Sequence, residues 1–94
     1  MTRTWALELA EKGITANVVS PGPTETEMFR RNNLTGPEAA SNRRRFLADV
    51  PIGRFGTPDE IAFAIQFFLD RRASFVTGQV LQVCGGSSVG PMPL

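Results

Sequence analysis

The sequence predicts an α/β fold with a parallel sheet, and three observations support this prediction. A helix-like segment leads through one glycine into a short β-branched segment, which is the second half of a βαβ unit. A second, strongly capped helix is followed by another short apolar segment. Two parallel strands are too few for a stable sheet, since parallel sheets are normally larger and covered on both faces. We therefore expect the 94 residues to be one end of a larger sheet.

The composition is that of a globular protein and excludes several classes of function. The chain is 41% hydrophobic, and its net charge of +1 gives no basic surface for nucleic acid or an anionic membrane. No run of about 18 apolar residues could cross a membrane. Without histidine, no zinc site of the usual kind is expected. The single cysteine suits a reducing compartment, and we expect a cytoplasmic protein.

The first predicted elements are a helix at residues 1–12 and a strand at residues 14–19. Ala, Leu, Glu and Lys dominate the helix, and Met1, Trp5 and Leu9 recur at a spacing of four. Gly13 suits the position just after a helix. The β-branched residues that follow predict the strand, which Pro21-Gly22-Pro23 should end.

Residues 20–56 are predicted to be a long connection with one helix between Asn33 and Val50. Thr35-Gly36-Pro37 resembles a helix start. Residues 51–56 are expected to form a loop.

The most clearly delimited helix is predicted at residues 57–72. Thr57 can cap it, Pro58 suits its first position and Glu60 completes a capping box. One apolar stripe follows, consisting of Ile61, Ala64, Ile65, Phe68 and Leu69, with Phe63 and Phe67 outside it. A last strand is predicted at residues 80–84, ended by two glycines, and residues 87–94 form an irregular tail.

Three segments together resemble the classical short-chain dehydrogenases/reductases, and most closely their 3-oxoacyl-carrier-protein reductase-like members. The segments are ALELAEKGITANVVSPGPTETEM, PIGRFGTPDEIAFAIQFFL and SFVTGQVLQVCGG, in the order and spacing of that family. The resemblance implies the C-terminal part of a Rossmann-like doubly wound parallel sheet. The N-terminal nucleotide-binding half is then expected to be absent from the chain.

The segment after the first predicted strand is the candidate cofactor loop. Sheets of this kind bind ligands outside the carboxyl ends of their strands, and Gly22 would let the backbone approach a ligand closely. The resemblance to a Pro-Gly-x-x-x-Thr motif implies that the loop binds the nicotinamide end of NAD or NADP through Pro21, Gly22, Pro23, Thr24 and Thr26. The alternative is a Pro-Gly turn without a ligand.

The resemblance also implies a substrate lid at residues 27–50. Met28, Phe29 and Leu34 are its candidate apolar contacts. Arg43 to Arg45 are interpreted either as contacts for a phosphate-bearing carrier or, preferably, as a solvated basic face.

The helix at 57–72 and the strand at 80–84 are expected to contact another subunit of a homo-oligomer, a dimer or a tetramer. Cys84 stands where many family members have aspartate, and we interpret it as a small buried hydrophobic residue without a redox role.

The chain contains no tyrosine, so the family's Tyr-x-x-x-Lys pair is absent and we predict no catalytic residue. The resemblance implies part of an NAD(P)-dependent oxidoreductase that interconverts a carbonyl and an alcohol by hydride transfer. Its substrate would be a small molecule, with an acyl-carrier or CoA-linked compound as one option, and the chain alone should be inactive. The alternative is a non-catalytic truncated homologue that acts as an interaction or oligomerisation module.

Overall fold

The computed structural model describes residues 1–89, in which two short strands are separated by three helices and a 3₁₀ turn. In chain order the elements are α1 (Thr2–Ala10), β1 (Val18–Pro21), α2 (Glu27–Asn33), α3 (Ala39–Leu47), α4 (Pro58–Leu69), a 3₁₀ turn (Arg71–Ala73) and β2 (Val80–Val83).

Strands β1 and β2 are parallel neighbours, with Val18 opposite Val80 and Pro21 opposite Val83. Helix α4 lies between them in sequence and packs against both. The predicted α/β class with a parallel sheet is therefore confirmed.

The first strand begins later than predicted, at Val18 instead of residue 14. Side-chain hydrogen bonds hold the preceding segment: Ala16 N–H donates to Thr77 Oγ1 at 3.0 Å, and the Asn17 amide donates to the Val76 carbonyl at 3.0 Å. Gly78 N–H also donates to the Ala16 carbonyl at 2.8 Å, so side-chain and backbone bonds are mixed here and the regular strand pairing starts only at Val18.

The strand also continues through Pro21, which was expected to end it. Val18 N–H donates to the carbonyl of Gln79, just before β2, at 2.9 Å, and Gly22 N–H donates to the Val83 carbonyl at 2.8 Å, so alternate residues face that strand. Pro21 falls between them, where a missing N–H costs no bond to β2.

Helix α1 is shorter than the predicted 1–12 and ends at Ala10, where a turn to Gly13 begins. Its buried residue is Ala6, and a Cβ on Gly78 would lie 3.4 Å from the Ala6 methyl. Met1 and Trp5, which recur at the spacing of four, are exposed in the described part of the chain.

Helix α4 follows the prediction closely at its start. Thr57 Oγ1 accepts from Glu60 N–H at 3.2 Å, and a Glu60 carboxylate oxygen accepts from Thr57 N–H at 3.0 Å, which completes the capping box. Ala64 is buried, whereas Phe63 is 73% exposed. The helix ends at Leu69 instead of residue 72, and the separate 3₁₀ turn follows.

The predicted connection at 20–56 contains two helices, α2 and α3, instead of one. Leu34, Val50 and Phe55 are buried in this region. Strand β2 ends at Val83, one residue before the prediction, and residues 90–94 of the predicted tail lie outside the described residues.

Within residues 1–89, every helix is too short for a bilayer span. The same residues bring no three metal-ligating side chains together.

Candidate functional site

The carboxyl ends of β1 and β2 lie side by side, and an open cleft of about 410 Å³ lies there. Parallel sheets of this class bind ligands at this position. The lining includes Pro23, Gly56, Gln82, Cys84 and Gly86. One predicted cofactor-loop residue, Pro23, thus lines a cleft at the expected edge of the sheet.

Gly22 lies against the neighbouring strand rather than in open space. A Cβ on this residue would lie 2.7 Å from both Cα and Cβ of Cys84. Real Cβ atoms do not approach backbone so closely, so a side chain would push the loop away from the end of β2. We expected Gly22 to allow a close approach to a ligand. In the structure the group that lies close to Gly22 is the backbone of Cys84.

The backbone of Thr24 is oriented by the residues on either side of it. Gly56 N–H donates to the Pro23 carbonyl at 2.9 Å, and Glu25 N–H donates to the Gly56 carbonyl at 2.9 Å. This parallel bridge turns the N–H and C=O of Thr24 away from Gly56. Among residues 1–89 these two groups have no hydrogen-bond partner. Thr24 therefore presents one donor and one acceptor side by side.

The hydroxyl groups of the two threonines have defined partners. Thr24 Oγ1 donates to the Gly22 carbonyl at 2.9 Å and tightens the loop. Thr26 Oγ1 accepts from Phe29 N–H at 3.1 Å and caps α2. A hydroxyl can donate while it accepts, so the hydrogen of Thr26 is available to a ligand.

The three predicted lid residues occupy different environments. Met28 is 70% exposed. Phe29 packs edge-on against Phe46 and Phe55, with ring centroids 5.0 and 5.4 Å apart, and Leu34 is buried. Of these three residues only Met28 offers an exposed apolar surface, while Phe29 and Leu34 pack inside the predicted lid.

Two of the three consecutive arginines on α3, Arg43 and Arg45, make contacts with an acidic or an aromatic side chain. Arg43 makes an ion pair with Glu25 at 3.2 Å and lies over the Phe55 ring, and Arg45 lies over the Phe46 ring at 5.2 Å. All three arginines of the run are exposed, which agrees with the preferred interpretation of a solvated face.

We predicted no site role for Gly85, which contacts the residues at the end of the predicted lid. Ile52 N–H donates to the Gly85 carbonyl at 3.0 Å, and a Cβ on Gly85 would lie 2.8 Å from Val50 Cγ1. The two consecutive glycines after a strand are the signal that could have indicated this close contact.

Arg54 and Glu60 also line the cleft and were not predicted as a pair. Both guanidinium nitrogens of Arg54 donate to the two carboxylate oxygens at 2.9 Å. The hydrogen bond from Arg54, followed by that from Thr57 N–H, lowers the pKa of Glu60 from 4.5 to about 2. The carboxylate is thereby fixed at the base of α4.

Cys84 differs from the buried, inert residue that we expected. The thiol is partly exposed, lines the cleft and has Sγ 3.1 Å from Ser88 Oγ. Hydrogen bonds from Ser88, to which Gly86 and Ser87 add, lower the pKa of Cys84 from 9.0 to about 7. The prediction considered only His and Lys as partners and so missed the serine in the following turn.

Comparison with known proteins gives consistent results along nearly the whole chain. A family model described as enoyl-(acyl carrier protein) reductase matches residues 1–88. The chain is 45% identical over 86 residues to the 3-oxoacyl-[acyl-carrier-protein] reductase FabG of Thermotoga maritima, covering 92% of this chain and 32% of that protein. It is 45% identical over 89 residues to BbsD of Thauera aromatica, a (2S)-[(R)-hydroxy(phenyl)methyl]succinyl-CoA dehydrogenase subunit, covering 95% and 34% respectively.

Solved structures are similar over the same extent. Cj0485 dehydrogenase superposes with a TM-score of 0.84 at 31% identity, covering 92% of this chain and 34% of that one. A putative 2-deoxy-D-gluconate 3-dehydrogenase from Agrobacterium tumefaciens, with bound NADP, gives 0.80 at 34% identity, covering 94% and 34%. The chain thus spans about a third of the length of the proteins that it matches.

Proposed function

The chain belongs to the short-chain dehydrogenase/reductase family, and on that premise we propose that it forms the nicotinamide side of an NAD(P)-dependent oxidoreductase. The proposed reaction interconverts a carbonyl and an alcohol, and bound NAD or NADP would supply the hydride chemistry. The observation that carries the proposal is the orientation of Thr24, whose N–H and C=O turn away from Gly56 and bond no group among residues 1–89.

A nicotinamide carboxamide fits the groups that Thr24 presents. The carboxamide has a carbonyl acceptor and an NH₂ donor, and Thr24 has the complementary donor and acceptor. Two bonds to one planar group fix which face of the ring meets the substrate, which is a positioning effect. The Thr26 hydroxyl would donate to the carboxamide or to a phosphate oxygen of the same cofactor.

The remaining residues of the loop hold this arrangement in place. Gly22 and Pro21 keep the loop against β2, and Pro23 bonds Gly56 through its carbonyl. We propose residues 27–50 as the substrate lid, with Met28 as its apolar contact and with Phe29 and Leu34 as internal packing.

The proposed substrate is a carbonyl or alcohol compound carried on an acyl carrier or on CoA. The name of the Thermotoga relative specifies an acyl-carrier-linked substrate, and that of the Thauera relative a CoA-linked one. The family resemblance implies a tyrosine as the donor of the proton to the carbonyl oxygen, and these 94 residues include no tyrosine. We therefore expect the chain alone to be inactive, and we propose that it acts in the cytoplasm.

The affinity of the protein for two forms of the cofactor tests the proposal. The 3-acetylpyridine analogue of NADP keeps the ring carbonyl but lacks the NH₂ group that would donate to the Thr24 carbonyl. Loss of one such bond corresponds to roughly a two- to tenfold weaker affinity. We expect this difference in a calorimetric titration of the protein at its full gene-encoded length with NADP and with its analogue. NAD and the 3-acetylpyridine analogue of NAD are titrated in parallel. Equal affinities for both members of each pair would contradict the proposed role of Thr24.

A second candidate function is a non-catalytic interaction module, and one observation favours it. An apolar groove of about 640 Å³ lies between α4 and β2, and its lining includes Phe63, Ala64, Phe67, Leu81 and Val83. An open apolar groove of this size is typical of an interface. We propose that residues 57–72 and 80–84 join subunits of a homo-oligomer, a dimer or a tetramer, whichever function holds.

A further inference from the structure

Glu25 lies where the cofactor loop, the lid and the segment before α4 meet. Its N–H donates to the Gly56 carbonyl at 2.9 Å. Its carboxylate accepts from Arg43 at 3.2 Å and lies 3.4 Å from Arg30 Nε. The side chain is 25% exposed, well below either arginine partner. One residue therefore contacts α2, α3 and the loop before α4.

An aromatic cluster lies beside this ionic contact and involves the same elements. Phe29 of α2 packs between Phe46 of α3 and Phe55, which is 4% exposed. The Arg43 guanidinium lies 5.4 Å from the centre of the Phe55 ring. Arg43 thus bonds Glu25 while it covers the aromatic cluster, an arrangement that adds a cation–π contact to the ion pair.

We propose that Glu25 is a positioning residue that couples the order of the lid helices to the orientation of Thr24. The backbone of Glu25 is half of the bridge that turns the Thr24 amide groups outward, and its side chain holds α2 and α3. A change in the lid is transmitted to the peptide next to Thr24 without any intermediate residue. The coupling to cofactor binding rests on the function proposed above, whereas the contact between Glu25 and the lid does not.

The chain offers a matched control for each partner. Glu27 pairs with Arg31 one turn along α2, and both side chains are largely exposed, so this pair joins no separate elements. Arg44 follows Arg43 on α3 and makes no ion pair among the described residues. Each control removes the same kind of charge without touching the junction.

Amide hydrogen exchange of the protein at its full gene-encoded length, measured with and without NADPH, tests the proposal. In the ligand-free protein, we expect Glu25→Gln and Arg43→Gln to accelerate exchange in α3 by roughly three- to tenfold. Glu27→Gln and Arg44→Gln should leave it nearly unchanged. Equal effects of Glu25→Gln and Glu27→Gln would overturn the proposal.

The second readout concerns the coupling itself. NADPH should slow exchange in both the 22–26 loop and α3 of the wild-type protein, and in Glu25→Gln it should slow exchange in the loop alone. Simultaneous protection of both segments in Glu25→Gln would overturn the coupling. Absence of any protection of the wild type by NADPH and by NADH, measured in parallel, would refute both the proposed function and the coupling, while the ligand-free comparison would still decide the contact with the lid.

Discussion

At the scale of single residues, Gly22 and Cys84 bring two strand ends so close that no side chain fits between them. We predict that Gly22→Ala lowers the free energy of unfolding by about 1–3 kcal/mol, because its Cβ would lie 2.7 Å from the Cys84 backbone. Chemical denaturation measures the loss. Gly56→Ala is the matched control, since its Cβ would meet Pro23 and Thr24 at an ordinary 3.8 Å. Similar losses in the two variants would contradict the prediction.

The sequence indicated that the backbone at Gly22 makes a close approach that excludes a side chain, but it did not indicate which residue lies opposite. The neighbour that excludes a side chain belongs to the other strand, and nothing local in the sequence pairs the two positions. The same limit applies to Glu25, which precedes α2 and pairs with Arg43 on α3. The orientation of Thr24 could likewise not be predicted, because it depends on Gly56, which lies beyond the predicted lid.

At the scale of elements, the start of α4 depends on a hydrogen-bonded cap. We predict that Thr57→Ala destabilises the protein by about 1 kcal/mol in urea denaturation, because the Glu60 N–H loses its acceptor. Thr35→Ala is the control, since that hydroxyl donates to the Arg31 carbonyl at the end of α2 and caps no N–H group. A loss in Thr35→Ala as large as that in Thr57→Ala would contradict the prediction.

The same cap makes the stability of the fold depend on pH. The direction of this dependence follows from the lowered pKa of Glu60. Folding lowers its pKa from 4.5 to about 2, so its ionised form stabilises the fold fully above pH 4.5, and this stabilisation is lost as the pH falls through about 2. The difference in stability between wild type and Glu60→Gln should therefore shrink between pH 7 and pH 3. Urea midpoints of the two proteins across this range measure the difference. A pH-independent difference for Glu60→Gln would refute the assignment.

Elements with strong local signals were predicted well, and elements set by distant contacts were not. The capping box of Thr57 and Glu60 needs only neighbours in sequence, and the structure confirms it. Helix α2 was missed because it is short, although Thr26 as its cap was a usable signal. The start of β1 was misplaced because Ala16 and Asn17 bond to residues near β2 that no local pattern reveals.

At the scale of the whole molecule, these residues leave much apolar surface open. The radius of gyration is 16.7 Å, whereas a compact domain of this length has about 12 Å. The accessible surface is 7424 Å², against about 5,300 Å² for a compact monomer of this mass. The groove between α4 and β2 is part of this open surface.

We predict that Phe63→Lys weakens self-association of the protein by roughly thirtyfold, because a charge would replace an aromatic residue in that groove. Sedimentation velocity over a concentration series measures the effect. Phe75→Lys is the control, since Phe75 is 101% exposed and does not line the groove. A monomeric wild type, or equal weakening by both variants, would rule out this surface as the interface.

The backbone hydrogen bond between Glu25 and Gly56 joins the two ends of the segment that contains the proposed lid, so this segment can be exchanged as a unit. Residues 26–55 lie between the two residues of this pair, and they contact the rest of the fold again where Ile52 N–H donates to the Gly85 carbonyl at 3.0 Å. Doubling the length of such a loop costs only about 0.6 kcal/mol of closure entropy. On the function proposed above, segments grafted from relatives between these two positions would change substrate choice, provided that each graft keeps the bond to Gly85 and brings a cation to meet Glu25.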